Sequence, residues 1–297
     1  MSPAADDMGS QGHPAPRHLP GHIAAALARA GERTDSAGQS WAGRDLAGEG
    51  NPLHRFDADD GLADPGVEAA LAALTSGGTE EAVHEALAEA RVFVPVVATL
   101  AEGGLGDHGF AEDKEADMAL VTLSAPDGRK ALPAFTSVAR LEAWHPEARP
   151  VAVFAPRAAL SAVSEGAELL VLDPGAERTF VLRRPAVWAL AQQQTWTPSY
   201  RDQTLVEVVA AAIEGLDEIR GVRLEPGKGV VSRDRSGRIL NGGGPGPELR
   251  IVLELSPGLP AESVRDIVAE LNGRLAASER FAESVDSIEI SLRAAGD

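Results

Sequence analysis

The sequence contains no cysteine among its 297 residues. This absence excludes disulfides, thiolate nucleophiles and zinc or iron–sulfur sites built on cysteine, and it is consistent with a reducing cytoplasm. Aromatic residues make up only 4%, so alanine, valine and leucine must supply most of the core. No apolar run reaches the roughly 18 residues of a membrane-spanning helix, and the N-terminus lacks the basic patch and apolar core of a signal peptide. We therefore expect a cytoplasmic protein without a membrane segment.

Acidic residues are concentrated in one part of the chain. The net charge is −18, and residues 57–117 hold 15 acidic side chains against only Arg91 and Lys114. An acidic face on the first domain would repel nucleic acid and favour a basic protein partner. Solvated helix faces and one acidic loop are the plainer interpretation. The candidate contact residues are Asp57, Asp59, Asp60, Glu112, Asp113, Glu115 and Asp117.

Changes in composition divide the chain into four predicted parts. Residues 1–56 are rich in glycine, proline, alanine and serine without a sustained period, which is typical of a disordered tail. A first domain is predicted at 57–195, a linker at 196–203 and a smaller C-terminal α/β domain at 204–297. The first domain should hold a mixed β-sheet with packed helices, and the second should close with a β-α-β unit of parallel strands. The predicted fold class is therefore mixed α/β.

Local signals predict individual helix starts and strands. Asp64-Pro65 combines an N-cap with proline at the first helical position. The run Val92–Ala98 is apolar on both faces of the pleat and is predicted to be a buried strand. Within it Pro95 should lie at an edge or a bulge, because proline cannot donate to a ladder. Thr204, with a glutamate three residues later, predicts a capping box at the start of the second domain.

Four segments together resemble a known family. They are a strand, a turn, a strand that runs into a helix start, and a strand that runs into a turn: Val92–Val97, Asp127-Gly128, Leu132–Ser137 and Leu170–Pro174. With them, residues 60–192 resemble the N-terminal domain of the SseB family (serine-sensitivity-enhancing proteins), and the second half resembles the C-terminal domain of that family. None of the four segments is a catalytic motif. The resemblance implies a two-domain fold and names no reaction.

The helix start at Phe135–Ser137 is one candidate for chemistry. Thr136 and Ser137 could present hydroxyls and helix N-terminal amides to an anion. Nucleophilic use would require a nearby base, and His145 is the only candidate close in sequence. Simple capping of the following helix is the plainer interpretation.

Two patterns suggest metal ligands and fail on spacing. Asp57 to Gly61 resembles the start of a calcium loop, but Gly61 stands at a ligand position and Leu62 stands where glycine is needed. Among the seven histidines, only His18 and His22 have i,i+4 spacing, with proline and glycine between them. We therefore predict no metal site, no cofactor and no catalytic residue.

The segment from Pro226 to Pro247 is the most unusual one in the chain. It carries a glycine-rich stretch and four basic residues, Lys228, Arg233, Arg235 and Arg238. Loops of this length are usually functional or disordered, and a glycine-rich basic loop suits phosphate or RNA backbone. It matches no Walker pattern and lacks aromatic residues for base stacking. A flexible hairpin loop is the plainer interpretation, with a partner contact or an active-site lid as alternatives.

These observations favour a non-catalytic interaction or regulatory module over an enzyme. The expected partner is a protein, of basic character where the acidic face makes the contact. One alternative is an RNA- or ribosome-associated factor that uses residues 226–247, although nucleic acid is disfavoured by the net charge. Another alternative is a small-molecule sensor or enzyme built at Phe135–Ser137. The sequence leaves the oligomeric state open.

Overall fold

The computed structural model describes Phe56, residues 59–100 and residues 116–295. Apart from Phe56, the predicted tail lies outside these ranges, as does the acidic segment 101–115. Within them the chain forms eight α-helices and twelve strands in mixed and antiparallel sheets, which confirms the predicted mixed α/β fold class.

The N-terminal half alternates short helices and strands. Its elements are α1 (Pro65–Ala73), α2 (Glu80–Glu89), β1 (Arg91–Leu100), β2 (Ala116–Leu120), β3 (Leu123–Ser124), β4 (Lys130–Ala134), α3 (Val138–Trp144), β5 (Arg149–Phe154), α4 (Ala155–Ser164), β6 (Leu169–Leu172), β7 (Phe180–Leu182) and α5 (Arg184–Ala191). The strands form an antiparallel sheet in the order β2-β1-β5 and a mixed sheet in the order β3-β4-β6-β7, in which β4 and β6 are parallel. A backbone bridge between Phe93 and Phe135 joins the two sheets.

The start of α1 follows directly from its sequence. The Asp64 carboxylate accepts hydrogen bonds from the N–H groups of Gly66 and Val67, and Pro65 occupies the first helical position. These bonds satisfy amides that have no partner within the helix. The predicted N-cap is confirmed. Within α1, Val67 and Leu71 are buried in the main core of this half.

Pro95 lies in the middle of a sheet, because β1 is flanked by β2 and β5. The predicted edge or bulge position is therefore wrong. Pro95 lies opposite Pro150 of β5, and the Phe93 N–H, two positions earlier, points away from β5 to the Phe135 carbonyl. Hydrogen-bonded and non-bonded pairs alternate along an antiparallel ladder, so the missing N–H of Pro95 falls on the side away from β5. The strand accommodates proline here without losing a bond to β5.

The C-terminal half has its own sheet and helices. Its elements are α6 (Gln203–Ile213), β8 (Ile219–Pro226), β9 (Val231–Arg233), β10 (Ile239–Gly243), β11 (Leu249–Leu255), α7 (Ala261–Ala277), α8 (Glu279–Ser284) and β12 (Ile288–Ala294). The sheet order is β12-β11-β8, and β11 and β12 are parallel, as predicted for the closing β-α-β unit. A second core, with Leu205, Ile251 and Leu271 among its buried residues, lies between this sheet and its helices.

Helix α6 begins one residue before Thr204, so the predicted capping box is wrong. Asp202 is the N-cap, and its carboxylate accepts from the Thr204 N–H at 2.9 Å and from the Thr204 hydroxyl at 2.7 Å. The threonine hydroxyl is used as a donor to the cap and does not cap the helix itself. Aspartate is at least as good an N-cap as threonine, so both residues at this helix start favour the observed arrangement.

The hairpin β9–β10 leaves the C-terminal sheet and packs against the N-terminal half. Leu240 of this hairpin is 1% exposed and belongs to the N-terminal core. A Cβ atom at Gly243 would lie 2.6 Å from the Phe180 ring, and one at Gly242 would lie 2.4 Å from Cγ of Glu80. Residues on both sides of the predicted linker therefore pack against each other, and the predicted domain boundaries stay a prediction.

Candidate functional site

The helix start at Phe135–Ser137 lies at the carboxyl end of β4, beside the carboxyl end of the parallel strand β6. Ser137 is the N-cap of α3 and accepts from the Arg140 N–H. The Thr136 N–H and hydroxyl both donate to the Asp173 carboxylate, each at 2.8 Å. Asp173 follows β6 directly and has a left-handed backbone with φ of +51°. The bond from the Arg140 N–H to Ser137 confirms the capping interpretation, and the two bonds from Thr136 hold Asp173 in its strained left-handed conformation.

Arg140 connects this carboxylate to a second one. Its guanidinium donates to Asp173 at 2.9 Å and forms short contacts with Glu68 and with the Thr136 hydroxyl. Burial raises the pKa of Asp173, and the hydrogen bond from Arg140 lowers the pKa of Glu68. Asp173 and Thr136 are 1% exposed. The group is a paired internal network, and its polar atoms are directed at one another.

The candidate base is too far away to serve this network. His145 follows the C-terminal end of α3, whereas Ser137 caps the N-terminal end. Seven helical residues separate them, which is about 10 Å along a helix axis. The structure therefore does not bring together the nucleophile and base that the sequence suggested for Phe135–Ser137.

The predicted acidic face is only partly described. Asp57, Glu112, Asp113 and Glu115 lie outside the described residues, and Asp117 is placed only as a backbone position in β2. Asp59 accepts two hydrogen bonds from the Arg91 guanidinium, which lower the pKa of its carboxyl group. Asp60, with a side chain 68% exposed, faces solvent. Asp59 therefore contributes to an internal ion pair more than to an open surface.

The basic segment 226–247 is a packed hairpin with most of its cations engaged. The Arg235 guanidinium donates to the Gly175 carbonyl at 2.5 Å, and Arg238 donates to the Asp234 carboxylate at 2.9 Å. Arg233 donates to the Gly237 carbonyl at 3.0 Å. All four cations are exposed, and Lys228 has the loosest pairing, with a side chain 79% exposed and its Nζ 3.9 Å from Glu289.

Asp234 organises the tip of this hairpin. Its carboxylate accepts from the Ser236 hydroxyl, from the Arg238 backbone N–H and from the Arg238 guanidinium. The hydrogen bond from Ser236 is the main cause that lowers the pKa of Asp234 to about 2. The pairing of β9 with β10 confirms the predicted hairpin, and side-chain bonds hold its turn, while its flexibility stays a prediction.

A buried ion pair of the N-terminal half is bonded to groups of the C-terminal half, and sequence reasoning missed it. Arg183 and Glu80 are each 1% exposed, and Arg183 Nη2 donates to Glu80 Oε2 at 2.6 Å. The same carboxylate accepts from the Tyr200 hydroxyl and from the Gly243 N–H, both at 2.9 Å. Arg183 Nη1 donates to the Gly244 carbonyl at 2.7 Å. Burial raises the pKa of Tyr200, so its hydroxyl remains a donor.

Glu248 is a second buried carboxylate beside this pair. It accepts from the Ser199 N–H at 3.2 Å and from the Asp286 N–H at 3.0 Å, and burial raises its pKa. Ser199 belongs to the predicted linker and is itself buried. The segment 196–203 is therefore packed between the halves in this structure.

A cleft of about 500 Å³ opens at the same junction, and we call it the junction cleft. One wall comes from α5, the other from α8, and the chain between α5 and α6 forms the rest. Residues from all three parts line it, among them Trp188, Gln194, Thr195, Trp196, Asp202 and Arg280.

The lining of the junction cleft is partly fixed by internal contacts. The Trp196 ring packs against the buried His84 ring, with centroids 5.7 Å apart, and burial lowers the pKa of His84. Arg184 lies over the Trp188 ring at 5.1 Å, and Arg280 pairs with Asp202 at 2.8 Å. The cleft thus presents two indole side chains held by packing, together with neutral polar groups.

The described ranges contain neither a metal-binding cluster nor a membrane-spanning helix. Residues 59–100 and 116–295 hold no group of three or more histidine, aspartate or glutamate side chains arranged to bind a metal ion. In the same part of the chain, no helix has both the length and the apolar composition needed to cross a membrane.

Comparison with known families identifies the N-terminal half. Residues 67–189 match the family model of the SseB protein N-terminal domain. This part of the chain is an SseB N-terminal domain. The match confirms the resemblance seen in residues 60–192, while the resemblance of the second half stays a prediction. Searches of the curated proteins and of the solved structures each found no match.

The matched SseB domain extends from α1 into α5 and so contains only part of the junction. Glu80, Arg183 and Trp188 lie within the matched residues, whereas Tyr200 and Arg280 follow them. The buried ion pair belongs to the SseB domain, and the C-terminal half adds bonds to it. The junction cleft is likewise built partly from the SseB domain and partly from the chain that follows.

Proposed function

We propose that this protein is a cytoplasmic, non-catalytic interaction or regulatory module whose partner is a protein. The observation that carries the proposal is the junction cleft, a concave surface of about 500 Å³ with two tryptophans in its lining. Tryptophan provides a large contact area at low conformational cost and is enriched where proteins bind each other.

The state of the other candidate groups supports a binding role over catalysis. Thr136, Asp173 and Arg140 are bonded to one another, and the Ser137 hydroxyl caps α3 by accepting from the Arg140 N–H. A catalytic group must reach the reacting atom of a substrate, and these side chains are directed at one another. The family domain implies no reaction of its own.

The RNA alternative gains no support from the contacts of the hairpin. Binding to nucleic acid depends on cations that can neutralise phosphates. Arg235 and Arg238 contact the SseB domain and Asp234, and the overall charge of −18 opposes approach to a polyanion. The exposed Lys228 is one cation beside Glu289.

The test is affinity purification of the tagged full chain from its own cells at low salt, with and without nuclease. The proposal predicts a protein recovered in stoichiometric amount in both samples. Ribosomal or other RNA-binding proteins that disappear after nuclease treatment would contradict it in favour of the RNA alternative. Recovery of no protein at all would also contradict it.

A further inference from the structure

The junction cleft has the size and position of a recognition site. Its volume of about 500 Å³ falls within the range of roughly 300–1,000 Å³ that is typical of ligand sites. The chain that connects α5 to α6 forms part of its lining, together with α5 and α8. Its walls come from the SseB domain and from α8, and both halves would therefore contact the same occupant.

The indole side chains of Trp188 and Trp196 provide an anchoring surface. Both rings pack against the core of the N-terminal half, and Arg184 lies over Trp188 while His84 lies beside Trp196. Both tryptophans also line the cleft. Aromatic or proline side chains pack well on such surfaces, and grooves lined by aromatic residues bind extended, proline-containing segments.

Neutral polar side chains surround the indoles. Gln194, Thr195 and Thr197 are exposed and line the cleft. An amide group both donates and accepts hydrogen bonds, and so does a hydroxyl group. These groups therefore suit the alternating N–H and C=O groups of an extended peptide backbone, which needs both kinds of partner.

The net charge of the chain affects the approach of a partner more than the contact inside the junction cleft. Within the lining, Arg280 pairs with Asp202, and Glu283 is a further carboxylate. The whole chain carries −18, which attracts a positively charged protein and raises its association rate. Local packing then holds the bound segment.

We propose that the junction cleft binds an extended peptide segment with an aromatic or proline anchor, presented by a partner protein of positive net charge. This inference rests on the proposed function and specifies where and what the module binds. It assigns the contact to residues on both sides of the boundary of the SseB match, so the SseB domain and the C-terminal half act together.

The test begins with selection from a random 12-residue peptide library displayed on phage, with the immobilised full chain as the target. We expect the selected peptides to share an aromatic residue or proline with lysine or arginine nearby. Synthetic copies are then measured by fluorescence anisotropy against the full chain and two variants. Thr195→Arg places a long side chain in the cleft, and Thr75→Arg makes the same change at an exposed position beyond α1.

Thr195→Arg should weaken peptide binding by about tenfold or more, which corresponds to about 1.4 kcal/mol, and Thr75→Arg should leave it unchanged. Equal binding by all three proteins, selection of acidic peptides, or no selection at all would overturn the inference. If Thr195→Arg instead retains a partner recovered by affinity purification, the proposed function survives and the cleft assignment fails.

The same test identifies other occupants. A photoreactive benzoyl side chain introduced at Gln194 of the full chain should cross-link to the selected peptide. Cross-linking to residues 1–55 of the same chain, or to a second copy, would overturn the assignment of the cleft to a partner protein.

Discussion

The buried pair of Glu80 and Arg183 allows a quantitative prediction for Glu80→Gln. The carboxylate accepts hydrogen bonds from Arg183, Tyr200 and Gly243, and the side chains of both ionic partners are 1% exposed. Removing one partner leaves the other charge buried without compensation, which costs about 3–5 kcal/mol. We therefore expect Glu80→Gln to lower the free energy of unfolding by about 3–5 kcal/mol, a large share of the stability of an ordinary domain.

The neighbouring residue provides a matched control. Glu81 also lies in the first turn of α2 and pairs with Arg201 at 2.9 Å, but the Arg201 side chain is 53% exposed. Exposed ion pairs contribute about 0–1 kcal/mol. Both glutamates interact with the same helix dipole, so the comparison of Glu80→Gln with Glu81→Gln isolates the effect of burial.

The assay is urea denaturation of the full chain at pH 7, followed by circular dichroism. The set also includes Arg183→Met and the double variant with Glu80→Gln and Arg183→Met, which removes the charge from each partner. Because residues in one network are not additive, the double variant should lose less stability than the sum of the two single variants. The reasoning is refuted if Glu80→Gln costs no more than Glu81→Gln, or if the double variant is additive.

Three further predictions concern the hairpin, two glycines and a histidine. Leu240→Ala should lower the free energy of unfolding by about 2–5 kcal/mol in urea denaturation, because Leu240 is 1% exposed in the N-terminal core. Its neighbour Ile239 is 52% exposed, so Ile239→Ala should change the stability by no more than about 0.5 kcal/mol. Equal effects of the two changes would show that the hairpin is not packed on the SseB domain. Gly229→Ala should lower the melting temperature, because its Cβ would lie 1.8 Å from the backbone of Gly246. Gly273→Ala should raise the melting temperature, because a Cβ at this position of α7 meets open space. An unchanged melting temperature for Gly229→Ala would refute the close approach of the two backbone segments. Burial lowers the pKa of His84 below its ordinary value near 6.5, so the unfolded chain binds a proton that the folded chain does not, and stability is lost as the pH falls below 6.5. His84→Phe should flatten the stability profile between about pH 7 and 5, and an unchanged slope would contradict this assignment.

Much of the fold follows from local signals in the sequence. The cap at Asp64 and the buried strand β1 each depend on residues close together in the chain, whereas the parallel pair of β11 and β12 follows from the β-α-β order of the elements. Short-range capping and hydrophobic patterns determine such elements, so they can be predicted without knowledge of the whole fold. The SseB match at residues 67–189 contains all four segments that carried the resemblance.

The junction could not be predicted because its parts are far apart in the sequence. Glu80 and Arg183 are separated by 103 positions, and nothing local marks either residue as buried. The glycine-rich stretch near Gly243 indicated a flexible loop, whereas its glycines permit close approach to the SseB domain. Glycine content alone does not distinguish flexibility from tight backbone packing.

The errors at Pro95 and Thr204 have a different cause. Both residues were correctly placed in or beside their elements, and only their roles differed. Whether the missing N–H of Pro95 faces a neighbouring strand depends on how β1 pairs with β5. The choice between Asp202 and Thr204 as the helix cap depends on contacts such as that of Asp202 with Arg280. Such details depend on tertiary structure.

The most direct test of the account is the affinity of the recovered partner for the full chain, Thr195→Arg and Thr75→Arg, measured by isothermal titration calorimetry. The account predicts tight binding to the full chain and to Thr75→Arg, and weakening of about tenfold or more for Thr195→Arg. Equal affinity for all three proteins would show that the partner binds elsewhere and would contradict the assignment of the junction cleft as its binding site.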